Sequence, residues 1–165
     1  MSFQKINPEE LKILAIKADP SSGRWIASFN KKQANRLDEV VHLLHERIFT
    51  EIDCLTCANC CKCISPAIYD RDVDRLSKSQ RMKPSEFIQT YLIPDNDNDY
   101  VFRQTPCPFL DNDNYCRVYA DRPKACREYP HTDRKRFYQL LKLTQTNASI
   151  CPAAYHVMEE LKKYI

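Results

Sequence analysis

The chain has 165 residues, 43% of them apolar and 28% charged, with 25 Lys and Arg set against 22 Asp and Glu for a formal charge of +3. A chain of that length buries roughly 70% of its unfolded surface in one core without covalent staples, and its near-balanced charge is that of an ordinary solvated surface. A single glycine, Gly23, excludes the Gly-rich phosphate loops of nucleotide enzymes, whereas nine cysteines, five of them in "CLTCANCCKC" at 54 to 63, demand an explanation.

In chain order, the first 35 residues read as a helical pattern that breaks at "DPSSG" and resumes as a short mixed segment around Trp25, an extension packing on the rest. The charges at Lys5, Glu9, Glu10, Lys12 and Lys17 interrupt any apolar h-region, so no signal peptide is expected. No apolar run is long enough to span a bilayer, and the expected location is the cytoplasm. Leu37, Val40, Val41, Leu44 and Ile48 then repeat at helical spacing and predict an amphipathic helix from about 36 to 52, which delivers the chain into the cysteines.

After the cysteines, "DRDVDRLSKS" from Asp70 predicts a short helix, and "KPSEFIQTYL" another with Pro84 in its first turn. "YVFRQT" reads as a strand beyond the acidic-amide tract "PDNDNDY", and "DNDN" at 111 to 114, with Asp111 and Asp113, predicts a turn that makes a small hairpin of "CPFL" and "YCRVY". Thr132 is placed to cap a helix with Phe137, Leu140 and Leu141 inside. Pro152 opens a last helix with Ala154, Val157, Met158, Leu161 and Ile165 on one face. The basic run "DRKRF" at 133 to 137 is dispersed around a helix rather than gathered on a face, so nucleic acid is not expected as a partner. The expected fold is mainly α with a small β-hairpin and irregular cysteine-rich loops, a metal-stabilised single domain. Residues 1–50 would form an N-terminal helical extension packed on a cysteine-cluster domain at 51–165.

Three roles are open to such closely packed thiols. A disulfide framework needs an oxidising compartment and an even count, and the vicinal Cys60 and Cys61 are too close for an unstrained bridge. A thioredoxin-type dithiol needs a strand before it, where this chain has a helix. Free cysteine also packs as a small buried apolar residue, but five in ten positions favour metal ligation. Cys54, Cys57 and Cys60 form C-x-x-C-x-x-C, and two intervening residues let a tight turn bring both sulfurs of a pair to one ion. The same run holds a [4Fe-4S] cluster in bacterial ferredoxins, where the last ligand precedes a proline, as Cys107 and Cys151 do here. Cys116 and Cys126 flank "RVYADRPKA", in which a turn at "DRP" would fold one back beside the other.

These blocks, "CLTCANCC", "CPFLDNDNYCRVYADRPKACREYP" and a late "CPAAY", resemble the YkgJ-type cysteine-cluster family, described as zinc- or iron-chelating, over about Cys54 to Tyr155. The resemblance implies metal ligands at Cys54, Cys57, Cys60, Cys61, Cys107, Cys116, Cys126 and Cys151. It implies zinc or iron as cofactor, with an iron-sulfur cluster as one form. The cysteine block also resembles flagellin lysine methylases, so the alternatives are an iron-sulfur or thiol-dependent protein-modification enzyme, or a metal-stabilised module for a protein partner. Whether the chain is an enzyme stays open. Two features depart from the family: Ala58 stands where it often has glycine, and Cys63 lies outside its pattern, a spare thiol or substitute ligand. Arg122 and Arg127 bracket Cys126 and can offset thiolate charge or form ordinary salt bridges. His42, His45, His131 and His156 stand outside any cysteine motif and are expected to be structural or exposed.

Overall fold

A computed structural model of the chain describes Phe3 and residues 6–164. It is mainly helical, with one two-stranded hairpin, and it divides into two compact units: residues 1–53 with 130–165, and Cys54–Tyr129.

The first unit is a helical assembly. Its α1 (Pro8–Ser28) starts where the Asn7 side chain accepts the Glu10 amide at 2.9 Å, with Pro8 in the first turn. Contrary to the expected break at "DPSSG", α1 runs through Pro20 and Gly23. Pro20 forfeits the bond to the Ile16 carbonyl, but Ile16 is 71% exposed, so that turn lies on the solvent side. On the other side Gln145 donates to the Asp19 side chain at 2.7 Å and to its carbonyl at 3.2 Å, and the Lys162 ammonium reaches Ser21 at 3.1 Å. Tertiary bonds thus hold a helix that local propensity would end.

The helix α2 (Ala34–Glu51) buries Leu37, Val41, Leu44 and Ile48, the stripe expected from its periodicity. After residue 130 the chain returns to this unit, where no regular helix forms directly after Thr132. Thr132 is fully buried, with its hydroxyl 2.8 Å from His45 Nδ1 rather than on a helix end. Asp38 of α2 instead accepts the amides of Arg136 and Phe137 at 2.7 and 2.8 Å, and a short 3-10 turn follows at Phe137–Gln139.

The second unit opens with α3 (Cys54–Cys57) and α4 (Asn59–Cys63), each about one turn long, then α5 (Asp70–Ser79) and α6 (Pro84–Tyr91). Strands β1 (Leu92–Pro94) and β2 (Tyr100–Phe102) pair antiparallel, with Ile93 opposite Val101. Their loop is the "DNDND" tract, in which the Asp95 carboxylate accepts the amides of Asp97 and Asp99, each at 2.9 Å. The hairpin is therefore here, whereas the expected pairing of "CPFL" with "YCRVY" is reduced to one bridge between Leu110 and Cys116. The last helix of this unit is α7 (Lys124–Glu128). Ile68, Val73, Leu76, Phe87, Leu92, Phe102, Phe109 and Val118 form one apolar cluster, against which Cys107 and Cys116 pack.

Back in the first unit, α8 (Leu141–Asn147) and α9 (Pro152–Tyr164) complete the packing against α1 and α2. The α9 face that buries Ala154, Val157, Met158 and Leu161 matches its sequence stripe, and Ile165 lies outside the described residues. The packing partners of α9 are α1, α2 and α8.

Candidate metal centre

Eight of the nine cysteines lie in the second unit, which contains no histidine, so soft donors there are sulfurs alone. None of the nine cysteines is in a disulfide. The cluster loop is shaped by Ala58, which adopts the left-handed conformation (φ 47, ψ 16) between α3 and α4 while only 4% exposed. This is the position where glycine would be free of strain. The turn reverses the chain so that Cys54 and Cys57 precede it and Cys60 and Cys61 follow, with the sulfurs of Cys60 and Cys61 4.0 Å apart. Zinc–sulfur bonds of about 2.3 Å in a tetrahedron put neighbouring sulfurs about 3.8 Å apart, so that pair already has the spacing of one edge of such a site.

Two hydrogen bonds tie this loop to the later cysteines. The Cys107 amide donates to the Cys61 carbonyl at 2.8 Å, and the Asn114 side chain, from the "DNDN" turn, donates to the Thr56 carbonyl at 3.1 Å. Cys107 is aimed by Phe109, two residues on, which is 1% exposed and packs its ring against Phe87, Tyr91 and Phe102 at centroid distances of 6.3, 5.1 and 5.7 Å. Cys116 sits in the bridge to Leu110, and its carbonyl accepts the Tyr119 amide at 3.0 Å. Cys126 is carried by α7.

Electrostatics bind four of these thiols into one group. Burial pushes the Cys107 thiol up to about 11, and the charges of Cys61 and Cys116 add to this. Burial pushes Cys126 up to about 12, reinforced by Cys61, Cys107 and Cys116. Cys116 is raised for the same two reasons. Cys61 runs the other way, lowered to about 7 chiefly by its hydrogen bond with Cys60. Three cations oppose the accumulating charge: Lys62 beside Cys61, Arg117 beside Cys107, and Arg122 beside Cys116 and Cys126. Arg122 is itself fixed, its guanidinium 3.8 Å from the Tyr119 ring centroid and bonded to the Tyr119 carbonyl at 2.7 Å. Arg127 instead donates to the Arg122 carbonyl and serves the backbone of the same segment.

A thiol-binding cation fits this donor set, because it removes the repulsion that keeps neighbouring buried thiols protonated and converts each to a thiolate. Among the described residues no three cysteine, histidine, aspartate or glutamate side chains close on one point. Ligation by the group therefore requires its side chains to turn inward from the positions they hold here.

The remaining sequence candidates fall elsewhere. Cys54 and Cys63 are exposed, and the Cys63 thiol points to Asn59 Oδ1 at 3.5 Å. Cys151 belongs to the first unit, buried just before α9, with its amide donating to the Asn147 carbonyl at 2.8 Å. The four histidines also belong to the first unit; His45 bonds Thr132, and His156 packs edge-on to Phe3. Sequence reasoning did not single out Phe109, Asn114, Asp72 or Arg75, which hold the cysteine segments in place. Phe109 carries the signal of a large apolar residue two positions from a cysteine, whereas the two α5 residues act on a segment distant in the chain and leave no local signature.

No match was found among the curated proteins or the solved structures. A family model does match, over residues 53–152, and its description is "CxxCxxCC: Putative zinc- or iron-chelating domain". With residues 53–152, well over half its length, matched by that model, the chain belongs to the CxxCxxCC family.

Proposed function

We propose that the protein is a metal carrier or metal-stabilised protein whose ligands are the thiolates of Cys54, Cys57, Cys60, Cys61, Cys107, Cys116, Cys126 and Cys151. The observation that carries this reading is the backbone bond from the Cys107 amide to the Cys61 carbonyl at 2.8 Å, which joins two cysteine-bearing segments of the second unit. Within the second unit, Cys61, Cys107, Cys116 and Cys126 would stand together, with the Cys60 sulfur 4.0 Å from that of Cys61. Bound zinc would contribute structural cross-linking of the loops, and a [4Fe-4S] cluster would contribute one-electron transfer.

The chain's own residues prepare for either. Phe109 and the apolar cluster exclude water from the Cys107 and Cys116 side of the site. Lys62, Arg117 and Arg122 offset the net negative charge that four thiolates leave on a divalent ion. The eight cysteines of this unit favour thiophilic ions over those that prefer oxygen. Thiols kept for ligation need a reducing compartment, which supports a cytoplasmic location.

The test is purification without oxygen, followed by visible absorption and elemental mass spectrometry on one sample. A brown protein with iron and sulfide identifies a cluster, and a colourless one with zinc identifies a tetrathiolate. A protein holding neither metal after purification and reconstitution refutes the reading.

A further inference from the structure

We propose that Asp72 and Arg75 form a latch that positions Cys126 for the metal, an inference that rests on Cys126 being a ligand. Cys126 sits on α7, which spans only Lys124–Glu128. A five-residue helix does not sustain itself in water, so the direction of its thiol depends on bonds from outside. Those bonds come from α5, which is anchored in the apolar cluster by Val73 and Leu76. Asp72 is 2% exposed; its Oδ1 accepts the Lys124 amide at 3.1 Å, and its Oδ2 accepts the Tyr69 amide at 3.2 Å. Arg75 pairs with the same carboxylate and extends past it, its Nε donating to the Asp121 carbonyl at 3.1 Å and its Nη2 to the Arg122 carbonyl at 3.0 Å.

Two side chains of one helix therefore grip the backbone at 121, 122 and 124, the stretch that leads into Cys126. A buried carboxylate is retained only where its partners satisfy it, and here the partners include the first amide of the cysteine-bearing helix. Arg122, whose carbonyl the latch holds, is also the cation beside Cys116 and Cys126. The latch thus sets both a thiol and its counter-charge.

The experiment compares the full chain with Asp72→Asn, metal-free and reduced, by pulsed iodoacetamide labelling with peptide mass spectrometry. Labelling of Cys126 is expected to rise by about tenfold or more as its segment opens locally, while Cys107 keeps its wild-type rate and far-ultraviolet dichroism is unchanged. Zinc affinity, measured by chelator competition, is expected to fall about 10–100-fold, the usual effect of losing a group that orients a ligand. Cys126 protected as in the wild type overturns the latch, as does uniform acceleration at Cys107 and Cys126 together. If the wild type takes up neither zinc nor iron, the metal reading falls and the labelling arm alone decides whether the latch holds Cys126. Should Asp72→Asn lose its helical signal, Arg75→Gln, at a side chain 29% exposed, takes its place with the same outcomes.

Discussion

The amide of Cys107 donates to the carbonyl of Cys61 at 2.8 Å, so the cluster loop and the "CPFL" segment are joined through backbone at two cysteines, the charge of Cys61 helping to raise the Cys107 thiol. Because that bond involves no side chain, replacing either cysteine leaves the loops tied. Cys107→Ser and Cys126→Ser should therefore each lose most of the bound metal while keeping wild-type helical dichroism in the metal-free state. Cys63→Ser should keep its full complement. Metal-to-protein ratios by mass spectrometry decide this, and wild-type occupancy in both Cys107→Ser and Cys126→Ser would remove them from the ligand set.

Metal uptake should be coupled to protons. Burial holds Cys107 at about 11 and Cys126 at about 12, above the ordinary thiol value of 9.0, so both enter ligation protonated at neutral pH. Zinc added in weakly buffered solution should acidify it, and affinity should rise with pH. For the metal-free chain the sign is opposite: raised thiols contribute stability that is present below pH 9.0 and lost as pH climbs toward 11 to 12, because the unfolded chain gives up its protons first. Melting temperatures of both forms from pH 6 to about 10 check this; parallel curves would contradict it.

Phe109 is the centre of the aromatic packing in the cysteine unit, in contact with Phe87, Tyr91 and Phe102. Truncation to alanine should cost about 3–5 kcal/mol, combining lost burial with the cavity left behind. Denaturant unfolding of the metal-free protein measures the loss. The same variant should bind zinc more weakly, since the residue also directs Cys107.

At Ala58 two effects compete. The left-handed backbone costs a non-glycine residue about 1–2 kcal/mol, whereas its buried methyl contributes about 0.8 kcal/mol. Ala58→Gly should therefore keep or slightly raise stability and retain metal. Ala58→Val should lower stability and metal content together, because a β-branched side chain fits poorly at φ 47. Equal stability of the two variants in urea would show that the turn does not constrain the loop.

His45 is lowered from its ordinary value chiefly by burial, while Asp133 pulls it upward. Its neutral form, bonded to Thr132, thus supports the first unit above about pH 6.5, and that support is lost as pH falls through the lowered folded value. Below pH 6.5 the wild type should lose stability more steeply than His45→Gln, read from unfolding midpoints across pH 5 to 8.

What the sequence determined by itself was local. Apolar residues at helical spacing specify the inner faces of α2 and α9, and prolines specify the first turns of α6 and α9. Each follows from neighbours within one or two turns of chain. The tertiary structure decided what depends on distant partners. Proline at position 20 should end a helix, and α1 continues because Gln145 and Lys162 grip it from elsewhere in the chain. Tyr100–Phe102 pairs with Leu92–Pro94 rather than leaving hairpin formation to the "DNDN" segment, and the "DNDN" turn instead donates from Asn114 to the cluster loop. Asp38 and Asp72 each receive amides from a segment far along the chain, and nothing in their own neighbourhood of sequence marks them for it. A carboxylate's partner is set by where the fold brings an unsatisfied amide, and spacing along the chain does not encode that meeting.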